Sequence, residues 1–304
     1  MTRLCLGTVQ FGMNYGVNNQ IGRQPTWDES FEMIDAALDA GIDAIDTARA
    51  YGEAELVLGE YFSGNRRLDG LKVVSKLRPN CIDWERGDVY GQVRAELEDS
   101  LGRMGLAALD GYLLHTPEYV YNPAVVAALV KIKEEGLVRN VGVSIYDMKE
   151  GFAAIKTGVM DYVQLPYSAL DQRGSSSGFI AAAKAAGMTV ATRSAFLQGL
   201  FMMEDGRVPA HLEKAIPHIA ALRKVAAAYG LDLVSAILGF AAAEPGVDYL
   251  VFGVEELSQI REDIAKFDAL DVPDGFVAEV KERIGSVDDS IIFPSLWSNG
   301  RRAG

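Results

Sequence analysis

Cysteine and histidine are scarce here: two cysteines, Cys5 and Cys81, and three histidines stand in 304 residues. Two thiols make no disulfide framework, and no CxxC-like spacing offers a zinc site, so both are read as reduced, structural cysteines. No apolar run approaches the ~20 residues of a membrane span, and the opening MTRLCLGTVQFG lacks the longer apolar stretch of a secretory signal. These absences point to the cytoplasm, with no membrane as partner. Positive charge is also in short supply, with 29 lysines and arginines against 42 aspartates and glutamates. The resulting formal net charge of −13 repels nucleic acid and anionic surfaces. An anionic ligand therefore needs a local cation.

What the chain does have is apolar residues, 49% of the total, enough to bury one large core. Its length matches a single α/β barrel of roughly 250 residues with insertions. Eight strand-length apolar runs recur: RLCLGT, DAIDTA, LKVVSKL, LDGYLLH, NVGVS, YVQLPY, TVATRSA and YLVFGV. Helical patterns lie between them, with explicit starts at the Thr26 to Glu29 capping box, at Asn122 before Pro123, and at Asp147 three positions before Glu150. This alternation predicts parallel strands with right-handed crossovers, and eight units predict closure into a (β/α)8 barrel of the α/β class. The chain reads as a single domain over 1–304, with 275–304 as a C-terminal helix and tail. Segment 174–178 (GSSSG) reads as a flexible loop, 14–24 as a separate turn, and 196–209 as a loop over the strand-end face. The apolar tail residues Ile291, Ile292, Phe293, Leu296 and Trp297 are expected to pack on the body.

Three of the eight runs lead into ionisable groups. IDTARAYGEAE carries Asp46 and Tyr51, LKVVSK stops at Lys76, and GYLLH stops at His115. Parallel barrel strands open their carboxyl ends onto one face, so these four side chains converge although they are distant in sequence. Reduction of a carbonyl with a nicotinamide cofactor requires a proton donor beside the carbonyl oxygen. An ammonium within about 4 to 6 Å of a phenol favours the phenolate and is expected to lower its pKa from ~10, while Asp46 keeps the lysine charged. His115 then positions the carbonyl. The blander readings are a strand-end cap for Asp46, a packed aromatic for Tyr51 and a core histidine for His115. Their joint placement at strand ends favours the chemical reading. Glu53 and Glu55 read as helix-start charges without chemistry, His211 and His218 as surface residues, and Trp27 and Trp84 as helix-start packing. Trp297 divides between packing and substrate contact.

In order and local context, Asp46, Tyr51, Lys76 and His115 match the tetrad of the aldo-keto reductase superfamily, which the chain resembles over nearly its whole length. The resemblance implies Tyr51 as general acid or base, Lys76 and Asp46 as its tuning pair, and His115 as the group that orients substrate. GLVRNVGVS (136–144) and VQLPY are similar to the fifth- and sixth-strand segments in which Ser144 and Gln164 would hold the nicotinamide carboxamide. RSAFLQGL (193–200) is similar to the segment covering nicotinamide and pyrophosphate, which assigns Arg193, Ser194, Phe196, Gln198 and Gly199 to the cofactor. FGVEELSQIRED (252–263) takes the adenosine position and assigns Gly253, Glu255, Gln259 and Asp263. Arg193 stands where the family often stacks a tyrosine, Ile145 where asparagine is common, and Ala195 where proline is expected. Gly253, Val254 and Gln259 replace the lysine, hydroxyl and arginine that NADP-preferring members place around the 2′-phosphate, while Glu255 suits a ribose hydroxyl. NADP(H) is the cofactor by family default, and the absence of the usual 2′-phosphate ligands makes NAD(H) a plausible alternative.

The short hairpin that plugs the barrel bottom in this family is expected to be missing or displaced. The opening LGTVQFGMNYGVNN is more loosely similar to bacterial members associated with polysaccharide or unusual-sugar enzymes, implying a sugar-like substrate. The resulting expectation is an NAD(P)-dependent oxidoreductase that interconverts a small aldehyde or ketone with its alcohol, monomeric by family default. Two alternatives keep the same barrel: a cofactor-retaining epimerase, isomerase or lyase acting on sugars, and a non-catalytic cofactor sensor.

Overall fold

The computed structural model describes residues 1–19, 21–65, 68–294 and 296–297. Gln20, within the expected turn 14–24, and tail positions Ser295 and 298–304 lie outside the described residues. The first half contains β1 (Arg3–Gly7), α1 (Val9–Gly12), α2 (Trp27–Asp39), β2 (Ala44–Asp46), α3 (Ala54–Asn65), β3 (Lys72–Leu77), α4 (Val89–Met104), β4 (Leu109–Leu114) and α5 (Pro123–Glu134). It continues through β5 (Val138–Ser144), α6 (Met148–Thr157), β6 (Tyr162–Pro166), α7 (Arg173–Ser176), α8 (Phe179–Ala185) and β7 (Thr189–Arg193). The last part holds α9 (Ile216–Ala228), α10 (Leu233–Ala242), β8 (Tyr249–Gly253), α11 (Leu257–Asp268), α12 (Phe276–Ile284) and α13 (Asp289–Ile292). The eight strands pair in parallel and in order, β8 closing onto β1, so the protein is the (β/α)8 barrel its pattern predicts.

Local chemistry explains where the elements begin. The Thr26 hydroxyl accepts from the Glu29 amide while the Glu29 carboxylate accepts from the Thr26 amide, and Asp147 and Glu150 repeat the arrangement. The Asn122 side chain caps the amides of Ala124 and Val125, with Pro123 in the first turn. Two apolar layers form the core. One lies between strands and helices; the other fills the barrel with Cys5, Ala44, Val74, Leu113, Tyr162, Ala191, Tyr249 and Val251. Burial pushes the Cys5 thiol well above its ordinary pKa, which suits a structural cysteine.

At the amino-terminal end of the barrel, Arg3 and Lys72 donate to the Tyr249 hydroxyl and both pair with Asp43. No helix among the described residues is by itself long and apolar enough to cross a membrane. Segment 174–178 is not a free loop. Its first residues complete the helical turn α7, with Gly174 buried beside Leu165, because a glycine fits where a Cβ would come within 2.6 Å of Leu165 Cδ1. The tail packs as expected at Ile291, Ile292 and Trp297, whose indole donates to the Ser290 carbonyl at 3.0 Å, whereas Leu296 is exposed. Trp297 is thereby a packing residue, while Trp27 and Trp84 remain partly exposed.

One close approach fixes the chain near the strand-end face. A Cβ on Gly12 would sit 1.7 Å from the Tyr51 carbonyl oxygen and 2.4 Å from the Ala54 nitrogen, and the Gly12 carbonyl accepts from the Glu53 amide. Backbone cannot yield as a flexible side chain does. Gly12→Ala is therefore expected to cost about 1 to 3 kcal/mol or more in chemical denaturation, with a parallel loss of any activity that depends on Tyr51.

Candidate active site

The tetrad is assembled from the barrel outward. Asp46 ends β2, Lys76 is the penultimate residue of β3, His115 follows β4, and Tyr51 sits on the turn entering α3. Lys76 is completely buried, and its ammonium donates to Asp46 Oδ1 at 2.6 Å, to the Thr47 carbonyl at 2.9 Å and to the Tyr51 hydroxyl at 3.4 Å. The other Asp46 oxygen accepts from Gln164 Nε2 at 2.7 Å, and Ser144 Oγ donates to Gln164 Oε1 at 3.4 Å. The His115 ring meets Tyr51 edge-on, with centroids 5.8 Å apart.

Electrostatics sharpen this picture. Burial works against the Lys76 charge, but Asp46 and Tyr51 outweigh it and hold the lysine pKa above its ordinary value. For Tyr51 the balance differs from the expected lowering: burial raises the phenol, and Lys76 and Arg193 pull it back only in part. The cause is removal of the hydroxyl from water, which penalises phenolate before any cation helps. Tyr51 is accordingly a neutral O–H donor near pH 7. Burial, assisted by Lys76 and Arg193, drives His115 down to about 3, so the imidazole is neutral as well. Its Nδ1 is buried with no protein partner among the described residues.

A groove of about 490 Å³ starts at Asp46, Tyr51 and His115 and runs across the ends of β7, β8 and β1. Arg193, Ser194, Phe196, Gln198 and Gly199 line it, as do Gly253, Glu255, Gln259 and Asp263. Ser144 and Gln164 lie buried beneath its floor, engaged with each other and Asp46. The Arg193 guanidinium stacks on Tyr146, 4.3 Å from the ring centroid, and donates to the Ile145 carbonyl at 3.1 Å. Ser194, Leu197, Gln198 and Gly199 all have left-handed backbone, making a concave turn of the kind that binds anions. Of segment 196–209, expected to be a loop over the face, Phe196, Gln198, Gly199 and Met202 line the groove, in a segment that winds into 3-10 turns at 197–202 and 205–207, and the Gln198 carbonyl accepts from the Val17 amide of the loop after β1.

The far end of the groove is acidic. Glu255, Glu256, Glu262 and Asp263 line it without a lysine or arginine among the described residues. Glu255 and Gln259 bond to one another, so Glu255 is already engaged by protein. Sequence reading missed Gln10, Tyr15 and Tyr146 on the groove wall. Gln10 lies in α1, three positions past the end of β1, and so falls outside a search confined to strand ends. Its Oε1 is buried without a partner among the described residues, in space that a Cβ on Gly253 would take.

Asp263 generates a test. Burial, with a smaller contribution from Glu262, lifts its carboxyl to about 7. A carboxyl held above its unfolded pKa weakens the fold increasingly as pH rises from about 4 through 7, and each tenfold difference in proton affinity between the folded and unfolded chain is worth about 1.4 kcal/mol. Asp263→Asn is therefore expected to raise the unfolding free energy by a few kcal/mol at pH 8 and by little at pH 4. Denaturant titrations at the two pH values check the sign.

Residues 3–284 match the Aldo/keto reductase family. The chain is 27% identical over 311 residues to D-threo-aldose 1-dehydrogenase of a Pseudomonas species, covering 89% of this chain and 93% of that protein. It is 28% identical over 229 residues to the NADH-specific methylglyoxal reductase of Escherichia coli, covering 66% of this chain and 69% of that one. Its fold superposes on an aldo-keto reductase from Bacillus halodurans with a TM-score of 0.74 at 18% identity, covering 95% of both chains. A family match across the barrel, together with strand-end residues that converge on one groove, makes this chain a member of the aldo/keto reductase family of nicotinamide-dependent oxidoreductases.

Proposed function

We propose that the protein reduces a small, hydroxyl-rich aldehyde or ketone with NADH, and that Tyr51 delivers the proton. The observation that carries this reading is the contact between the Tyr51 hydroxyl and a fully buried Lys76 that is ion-paired to Asp46, beside a neutral His115. A nicotinamide cofactor in the groove supplies the hydride. The left-handed turn 197–199 offers a seat for its phosphates, and Ser194, Phe196 and Arg193 flank the same path. Gln10 Oε1, without a partner among the described residues, presents an acceptor to a hydroxyl or amine there.

In this mechanism the carbonyl oxygen sits between Tyr51 and His115. The neutral imidazole donates a hydrogen bond that orients it, and the phenol transfers its proton as negative charge develops on oxygen. Lys76 stabilises the resulting phenolate, which is why an ammonium without solvent contact stands beside it. Asp46 keeps that ammonium charged, and Gln164 keeps Asp46 in place.

Acidic side chains at the far end support NAD(H) over NADP(H). A 2′-phosphate would meet Glu255, Glu256 and Glu262 with no lysine or arginine among the described residues lining that end, whereas a ribose diol donates to such groups. The relatives named for an aldose dehydrogenase and an NADH-specific methylglyoxal reductase agree with a small carbonyl or sugar substrate. A second reading, in which one tightly held NAD is reduced and restored within each turnover of a sugar, draws on the loop contact Val17 to Gln198. Cofactor retained through exhaustive dialysis supports that reading; a cofactor-free protein removes it.

Two outcomes are expected. Fluorescence titration at matched ionic strength gives NADH an affinity at least about tenfold above NADPH, as expected for an unpaired phosphate among carboxylates; equal affinities contradict the assignment. Tyr51→Phe loses about 10²-fold or more in turnover while NADH binding stays within about twofold.

A further inference from the structure

Behind the tetrad, on the outer side of β3, lies a second buried carboxyl. Glu55 in the first turn of α3 is only 2% exposed, and its Oε1 accepts from the Ser75 hydroxyl at 2.7 Å. The sequence reading gave it a helix-dipole role, yet it points inward among the barrel layers. Arg49 and Arg103 lie within electrostatic reach, both bonded to Asp99, and Tyr112 faces it from β4. Ser100 faces it from α4. Among the described residues, Glu55 Oε2, Ser100 Oγ, Arg103 Nη1 and the Tyr112 hydroxyl are buried without a partner at hydrogen-bonding geometry. Desolvation pushes the Glu55 carboxyl above its ordinary pKa, and Ser75 and Ser100 pull it back in part.

A carboxyl taken out of water, held by the Ser75 hydroxyl and faced by Ser100, costs stability through its desolvation, so packing alone does not account for it. Its position does. Neighbouring strand residues point to opposite faces, so Ser75 faces the helices while Lys76 faces the barrel mouth. On the other side, Ala54, which precedes Glu55, donates its amide to the Tyr51 carbonyl at 3.0 Å. One hydrogen bond thus ties the residue before Lys76 to the turn that carries Tyr51. The Lys76 to Tyr51 contact, at 3.4 Å, is the longest of the three made by the ammonium and the one most exposed to slack between β3 and α3.

We infer that Glu55 is a positioning residue for the proton donor, setting the distance between Tyr51 and Lys76 through Ser75. The inference rests on the proposed chemistry of Tyr51 and extends it to a residue that touches neither substrate nor cofactor. Loss of the tie lets the ammonium draw away from the phenol, and Tyr51 becomes harder to ionise. Glutamine keeps an acceptor for Ser75 and preserves the tie.

The test is the ionisation of Tyr51, followed by NMR in protein labelled at the tyrosine ring and assigned by the signal missing from Tyr51→Phe. Glu55→Ala and Ser75→Ala are expected to raise the Tyr51 pKa by about 0.5 or more, to lower turnover at least about fivefold, and to leave the NADH dissociation constant within about twofold. Glu55→Gln is expected to restore both readouts. An unchanged Tyr51 pKa in Ser75→Ala overturns the inference, even where Glu55→Ala does not fold, and so does Glu55→Gln behaving like Glu55→Ala. Full turnover by Tyr51→Phe removes the proposed chemistry instead, and leaves the positional shift to be judged on the titration alone.

Discussion

A fully buried ammonium at the mouth of the barrel sets the terms for the rest of the site. Lys76 has three N–H donors and no solvent to take them, so each needs an acceptor. Asp46, the Thr47 carbonyl and the Tyr51 hydroxyl are those acceptors, and they come from the end of β2 and the turn after it. Removing one partner from a buried pair of this kind costs about 3 to 5 kcal/mol, far more than the pair itself adds. The arrangement is therefore rigid in composition. Gln164 is drawn in from across the barrel to satisfy the second Asp46 oxygen, and the chain at Gly12 is pressed so close to the Tyr51 turn that no side chain fits.

Parallel barrel topology makes this constraint tolerable. The strand registers place Gly7 beside Asp46 and Lys76 beside Leu113, so residues distant in sequence enter one polar cluster with no long loop to order. Asp46, Lys76 and His115 sit at strand ends and Tyr51 on the turn after β2, while other parts of the groove sit on the loops after β1, β5, β7 and β8. Chemistry is thereby separated from selectivity. In the proposed chemistry the same phenol and ammonium serve whatever carbonyl the loops admit, while the acidic far end is the proposed selector between dinucleotides.

Much of this was legible in the chain because it depends on local pattern. Eight apolar runs, two capping boxes and a proline in a first turn fixed strands and helix starts, and barrel geometry then forced Asp46, Tyr51, Lys76 and His115 together. Contacts set by three-dimensional register were not legible. Gln164, assigned by resemblance to the nicotinamide carboxamide, also donates its amide to Asp46, a partner 118 positions away that local pattern does not reveal. Glu55 looked like a solvated helix-start charge because its neighbours Glu53 and Leu56 are indeed exposed, and only the packing of α3 on β3 turns it inward. The glycine and serine run 174–178 lacked any apolar period, and its first three residues are helical where Gly174 is buried and the Ser177 hydroxyl caps the turn on the Arg173 carbonyl. The direction of the Tyr51 shift was missed for a related reason: spacing shows which charges are near, whereas desolvation depends on everything packed around them.

The central claim is that Lys76 offsets the burial of Tyr51 and makes its phenolate accessible. The direct measurement is the Tyr51 pKa in the native protein and in Lys76→Met, by NMR of ring-labelled tyrosine with Asp46 and Gln164 left in place. A tenfold or greater weakening of Tyr51 acidity, a pKa rise of about 1 or more, is what the account requires on removal of the ammonium. An unchanged or lower value would contradict it, and would leave the buried ion pair as structural support for the barrel mouth.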